Sequence, residues 1–253
     1  MATLTITPYH TGIPFGNILN RIRPKMSCRA IIVTITITMM LVNTCNTHTP
    51  NTQPSQSKYL WVLDNGHGSL TKGRTSLPII SAEGDTTVLR EWEFNRDIVR
   101  RIAEGLQSRG IRCQVLVPEV EIGNFVDGRV WRLNKMEGND LRLISIHANA
   151  AGDGSKWHKA NGREIFHLEG DKVGRQMAII LNKYMKDATP IRDRGIKTAN
   201  FKVLKNTKCS AILSEEGFFT NKEEAALLMR GDMRQWIAEA HIKMICEFEG
   251  VEF

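Results

Sequence analysis

From residue 59 onward the hydrophobic positions fall into two alternating rhythms. Short apolar runs of strand length occur at 59–63 (YLWVL), 113–117 (CQVLV), 141–146 (LRLISI), 163–168 (REIFHL) and 209–214 (CSAILS). Between or after them the apolar positions recur at helical spacing. The stretch 93–110 places Phe94, Ile98, Ile102 and Leu106 four residues apart and stops at Gly110, while 171–188 and 233–248 read as two further helices. Strands alternating with helices predict a single α/β domain over 59–253, with a mostly parallel or mixed twisted sheet covered by helices on both faces. No internal repeat is present. The sequence ends soon after the last helical pattern, so no C-terminal binding module is expected.

The first 58 residues follow neither rhythm. They are rich in Thr, Pro and Asn, contain no carboxylate, and hold a single apolar stretch, AIIVTITITMMLV at 30–42. At about 13 residues it is short for a bilayer span, but behind the basic segment RIRPKMSCR it fits the apolar core of an export signal. Residues 1–45 are therefore expected to direct export, with Met26 as a candidate start. Cys45, at the end of LVNTC, is a candidate for lipoprotein cleavage; cleavage without lipidation and an uncleaved anchor are the rivals. Residues 46–58 read as a flexible tether.

Composition narrows the partners. The net charge is +7, but Arg21, Arg23, Lys25 and Arg29 lie in the leader, leaving 30 cations against 27 carboxylates. That surplus is too small to argue for nucleic acid. Beyond Cys45 only Cys113, Cys209 and Cys246 remain, without metal-type spacing, and Cys113 and Cys246 read as small buried hydrophobes.

In open α/β sheets ligands bind beyond the carboxyl ends of the strands. His67 follows the first apolar run, His147 the third and Glu215 the fifth, and Glu91 stands where the first long helix begins. If the three strands are parallel neighbours, these side chains reach one edge. A lone histidine after a strand is more commonly structural. Two of them with a carboxylate make a plausible open zinc site, and a second carboxylate supplies the proton transfer that metal-assisted hydrolysis needs.

The ordered segments DNGHG, EWEFN, SIHANA and EEGFFTN resemble the zinc-dependent N-acetylmuramoyl-L-alanine amidases, whose pattern is D-x-G-H-G, E-x-x-x-N, S-I-H-x-[ND]-A and E-x-G-F-x-[ST]-N. The resemblance covers about 59–248. Arg129 and Asn134 in GRVWRLN, the NGREIF strand and the run DRGIKTANFKVLKNTKCSAIL fit it too. It implies a peptidoglycan amidase that binds Zn²⁺ through His67, Glu91 and His147 and uses Glu215 as catalytic carboxylate. A zinc endopeptidase cutting inside the stem peptide, or a silent peptidoglycan-binding or regulatory domain, are the alternatives. A monomer in the cell envelope or outside the cell, with peptidoglycan as its partner, is expected.

Two choices follow from the motifs. Glu91 rather than Glu93 has an asparagine, Asn95, four residues on, and Glu215 rather than Glu216 satisfies E-x-G-F through Gly217 and Phe218. Glu216 should then be solvated or one layer out from the site. Asp64 is read as orienting the turn or an imidazole, Asn149 as shaping the site wall, and Gly66 and Gly68 as letting backbone and substrate pass close to the metal. His158 is read as a solvated loop residue, and His167 and His241 as structural. KDATPIRDRGIK is read as a charged loop from which Arg194 or Lys197 could meet an anionic peptide. Ser69 and the loop to residue 90 depart from the family's usual glycine- and alanine-rich form.

Overall fold

The computed structural model describes residues 57–253 except 82 and 124. The apolar stretch, Met26, Cys45 and most of the tether lie outside them. The elements run β1 (Leu60–Asn65), β2 (Ile79–Ile80), β3 (Thr86–Thr87), α1 (Glu91–Gln107), β4 (Cys113–Val115), α2 (Val126–Lys135), β5 (Leu141–Asn149), β6 (Arg163–His167), α3 (Lys172–Ala188), β7 (Asp193–Thr198), α4 (Lys202–Lys205), β8 (Ser210–Phe218), α5 (Lys222–Met229) and α6 (Gly231–Glu249). Six strands form one sheet in the order β4-β1-β5-β8-β6-β7; β2 and β3 make a separate small hairpin.

β1, β5 and β8 are parallel neighbours, and β6 runs antiparallel to β8. Their near-continuous apolar runs follow from burial on both faces. On one face Trp61, Leu63, Ile144, Ile146 and Ile212 pack with Phe94, Ile98 and Ile102 of α1 and with Met177, Leu181, Ile237 and Ile245 of α3 and α6. On the other, Val62, Leu143, Ala211 and Leu213 pack with Leu133 of α2 and with Val203 and Leu204 of α4. Cys246 is buried, whereas Cys113 and Cys209 are half-buried; all three are free thiols.

Part of KDATPIRDRGIK is not a loop: β7 adds to the free side of β6, pairing Ile165 with Ile196 and Phe166 with Lys197. A sheet-edge strand that is half solvated carries no apolar run to announce it. The domain's packing also begins two residues before Tyr59, inside the stretch read as tether. The Glu249 carboxylate, at the end of α6 and 2% exposed, accepts hydrogen bonds from Ser57 Oγ (2.9 Å), Lys58 N (2.7 Å), Tyr59 N (3.2 Å) and Trp61 Nε1 (2.8 Å). Glu249→Ala leaves at least two buried donors unpaired, at about 1–3 kcal/mol each. A Tm fall of roughly 5–15 °C is expected in thermal melting; a change under 2 °C would show that the clamp contributes nothing.

Candidate active site

β1 ends two residues before His67, whereas His147 and Glu215 lie within β5 and β8, toward their carboxyl ends. Gly66 N donates to Ile146 O at 3.0 Å, so the turn after β1 sits directly against the end of β5. A Cβ on Gly66 would lie 2.2 Å from His147 Cε1, so only glycine leaves room for that ring. Gly68 answers to a different neighbour: its Cβ would meet Ile122 Cγ1 and the Ile122 carbonyl at 2.3 Å, so it permits loop packing rather than substrate approach.

His67 is the one non-glycine among the described residues with positive φ, at 62°. That left-handed conformation is strained for a side-chain-bearing residue and has to be held by its surroundings. Its carbonyl accepts from Arg129 Nη2 at 2.8 Å and from Arg96 Nη1 at 2.9 Å, and the preceding Gly66 carbonyl accepts from Asn95 Nδ2 at 2.9 Å. Arg129 is in turn bound by the buried carboxylate of Asp64, which also accepts from Ser145 Oγ at 2.6 Å. Asp64 therefore touches no imidazole and acts on the turn through Arg129. Asn95 of the E-x-x-x-N motif fixes the turn one residue before the histidine. Arg96 lies outside the four motifs, and its position directly after Asn95 is the signal it gives in the sequence.

Glu91 is the first residue of α1, where the helix dipole favours an anion. It is 1% exposed, and its Oε1 lies 3.1 Å from His147 Nδ1 and 3.4 Å from His67 Nε2 while accepting from Ala148 N at 3.2 Å. Glu93 points away and reaches only Arg90, at 3.5 Å. The His67 and His147 rings stand edge to face, 5.1 Å apart. Among the described residues, His67, Glu91 and His147 form the metal-type cluster, with ligand atoms within 4.8 Å of one another. Glu215 extends from β8 in register with His147 and lines the same cleft, of about 440 Å³.

Glu216, its neighbour, points to the opposite face, as alternation requires. It is not solvated: it is 1% exposed, 3.4 Å from His241 Nε2, under α6. His241 is fully buried and bonded to the Ile237 carbonyl, a structural role, and His167 likewise contacts the Leu168 carbonyl. His158 is half-buried against Gly152 and Thr220 rather than a freely solvated residue. Asn149 lines the cleft and donates to Glu164, which also holds both Arg194 and Lys197 at 2.5 Å. Asn134 lies away from the cleft, tying α2 to the segment after α4 through Asn206 O and Lys208 N.

The site fits a divalent cation. Burial pushes the His67 pKa down to about 4 against the pull of Glu91, so the ring is neutral at pH 7 and has a lone pair to give. Burial raises the Glu91 pKa, but the His147 hydrogen bond and charge outweigh it and hold the carboxyl below its ordinary range. Burial likewise lowers His147, yet the hydrogen bond to Glu91 and the charges of Glu215 and Glu91 leave it raised. His67 Nδ1, Glu91 Oε2 and Glu215 Oε2 are buried without partners.

Burial pushes Glu215 up to about 8. The metal-free folded domain thus holds a proton that an unfolded glutamate releases near 4.5, and stability falls as pH rises from about 4.5 to about 8. Urea titrations of metal-free Glu215→Gln are expected to show a shallower fall over that window; an unchanged slope would contradict the shift.

Sheet order, cleft and residues define an α/β enzyme domain with a His–Glu–His triad of metal-ligating type and a separate carboxylate at one sheet edge. A family model described as N-acetylmuramoyl-L-alanine amidase matches residues 62–247. The chain belongs to the N-acetylmuramoyl-L-alanine amidase family. An endolysin of Bacillus phage SPP1 is 30% identical over 193 residues, 76% of this chain and 66% of the relative. The N-acetylmuramoyl-L-alanine amidase LytC of Bacillus subtilis is 28% identical over 182 residues, 70% of this chain but 33% of LytC. The chain thus spans between about a third and two thirds of these relatives. The catalytic domain of CwlV, an N-acetylmuramoyl-L-alanine amidase from Bacillus (Paenibacillus) polymyxa, superposes with a TM-score of 0.62 at 25% identity, over 77% of this chain and 99% of CwlV's.

Proposed function

We propose that this domain hydrolyses the amide between the lactyl carbonyl of N-acetylmuramic acid and the amino group of L-alanine in the peptidoglycan stem peptide. The observation that carries the reading is the convergence of His67, Glu91, His147 and Glu215, each standing in its own motif, on one open cleft at the sheet edge. Membership of the amidase family supports the choice of bond.

His67, Glu91 and His147 are proposed to hold Zn²⁺. When bound, zinc polarises a carbonyl oxygen and lowers the pKa of water. Glu215 takes a proton from the attacking water on its carboxylate and returns it to the departing nitrogen. Arg96, Arg129, Asp64 and Asn95 keep His67 in its strained conformation before any ligand arrives. Val126, Val203 and Phe201 add apolar surface to the lining of the cleft.

The test is the purified domain acting on a soluble muramyl peptide. Zinc near one equivalent and cleavage that stops with chelator and returns with zinc are expected. A metal-free domain that binds peptidoglycan without cutting it would favour a silent binding module, and cuts inside the peptide would favour an endopeptidase.

Residues 1–45 are proposed to carry the domain to its wall substrate, with Cys45 as a lipidation point. Lipid labelling that persists in Cys45→Ala would contradict that anchor. No helix among the described residues is long and apolar enough to cross a membrane.

A further inference from the structure

We infer that Arg74 receives the negative charge that develops on the scissile carbonyl oxygen. The inference rests on the amide hydrolysis proposed above and adds a group that none of the motifs contains. Arg74 lies in the loop between Ser69 and residue 90, where the chain departs from the family's usual composition, and it lines the same cleft as His67, Glu91, His147 and Glu215.

Its backbone is pinned. Glu91 N donates to Arg74 O at 2.9 Å, Thr75 bridges Arg90, and Ser76 N donates to Leu89 O at 2.8 Å. The base of the loop is thereby stapled to the start of α1, which delivers the guanidinium beside the site.

The guanidinium itself is uncommitted. Among the described residues it makes no hydrogen bond; its nearest anion is Glu91 Oε2, 3.9 Å from Nε. A guanidinium placed to hold that carboxylate would sit at about 2.7–2.9 Å. The other cations around the cleft are spoken for: Arg129 by Asp64, Lys202 by Asp127, and Arg96 by the His67 and Glu119 carbonyls. Arg74's side chain is 42% exposed and lines the cleft that a substrate would enter.

The chemistry creates an anion there. A water oxygen bonds to the carbonyl carbon, the C=O π pair moves onto the carbonyl oxygen, and the water's proton passes to Glu215. The C=O bond then re-forms, the C–N bond breaks, its electron pair leaves on nitrogen, and the Glu215 proton goes to that nitrogen. The neutral scissile amide carries a negative charge on its oxygen only between these events. A fixed cation with free donors favours that state over the bound amide, so its removal should act on turnover rather than on binding.

The experiment uses zinc-loaded wild type, Arg74→Ala and Arg74→Lys with a soluble muramyl peptide. Arg74→Ala is expected to lower kcat by about 10²- to 10³-fold, the usual cost of one oxyanion donor, with KM within threefold. Arg74→Lys should restore part of the loss. In a Glu215→Gln background, calorimetry should give the same peptide Kd with Arg74 or alanine, and zinc content should stay near one equivalent in every variant. A tenfold rise in KM or Kd with kcat kept would show that Arg74 holds a substrate carboxylate, and overturns the inference. Loss of zinc in Arg74→Ala would make it a support for Glu91, and unchanged kinetics would make it a bystander; both overturn it as well. If the wild type leaves the muramyl peptide whole, the proposed function fails and the inference with it. Cleavage by wild type and Arg74→Ala alike removes only the role of Arg74.

Discussion

Glu215→Gln is expected to fold, to bind zinc like the wild type, and to lose about 10²- to 10⁴-fold in kcat, the range that positioned acid–base groups supply. The side chains are nearly isosteric, so β8 and its register with β5 should not change. What changes is the ability to carry a proton: an amide oxygen cannot take one from water at neutral pH and cannot return one to nitrogen. Glu215 also has a buried Oε2 without a partner, so the substitution breaks no existing hydrogen bond at that atom. Glu216→Gln is the matched control. Its carboxylate faces His241 on the other side of the sheet, and its replacement should alter stability more than turnover. Full activity in Glu215→Gln would remove the role proposed for it.

Glu91→Gln should lower zinc affinity by more than 10²-fold, since even partners one layer out from a metal ligand commonly cost 10- to 100-fold. Glu91 Oε1 lies within 3.4 Å of both imidazoles and is the single anion of the triad, so a neutral amide removes both a donor and the charge that draws a cation in. Glu93→Gln, two residues further along α1, should leave zinc binding within twofold, because Glu93 reaches only Arg90 on the surface. Zinc titrations monitored by competition with a chromophoric chelator separate the two. Equal losses would contradict the assignment of Glu91.

The site was largely legible because its residues follow the strands that announce themselves most clearly. β1, β5 and β8 lie in the middle of the sheet and are buried on both faces, so each appears as a near-continuous apolar run, and His67, His147 and Glu215 come shortly after the run. What stayed hidden was written in weaker patterns. β7 reads DRGIKT and is half solvated, so charge masked a strand. α2 buries only Arg129 and Leu133 and carries Gly128, leaving little helical periodicity to detect. Strand alternation correctly sends Glu215 and Glu216 to opposite sides. It does not say that α6 covers the far side, which is why Glu216 is buried rather than wet. Asp64 and Arg129 lie 65 residues apart in sequence, and nothing local pairs them. Arg74 was invisible for a related reason: its placement depends on how an exposed loop is stapled back onto α1.

The central claim is the bond that is cut, and the most direct measurement is mass spectrometry of the new chain ends after the zinc-loaded domain has acted on purified sacculi. The account predicts intact glycan strands bearing free lactyl carboxylates and stem peptides released with a free L-alanine amino terminus, with neither formed in the presence of chelator. New ends inside the peptide, new sugar reducing ends, or no new ends would contradict it.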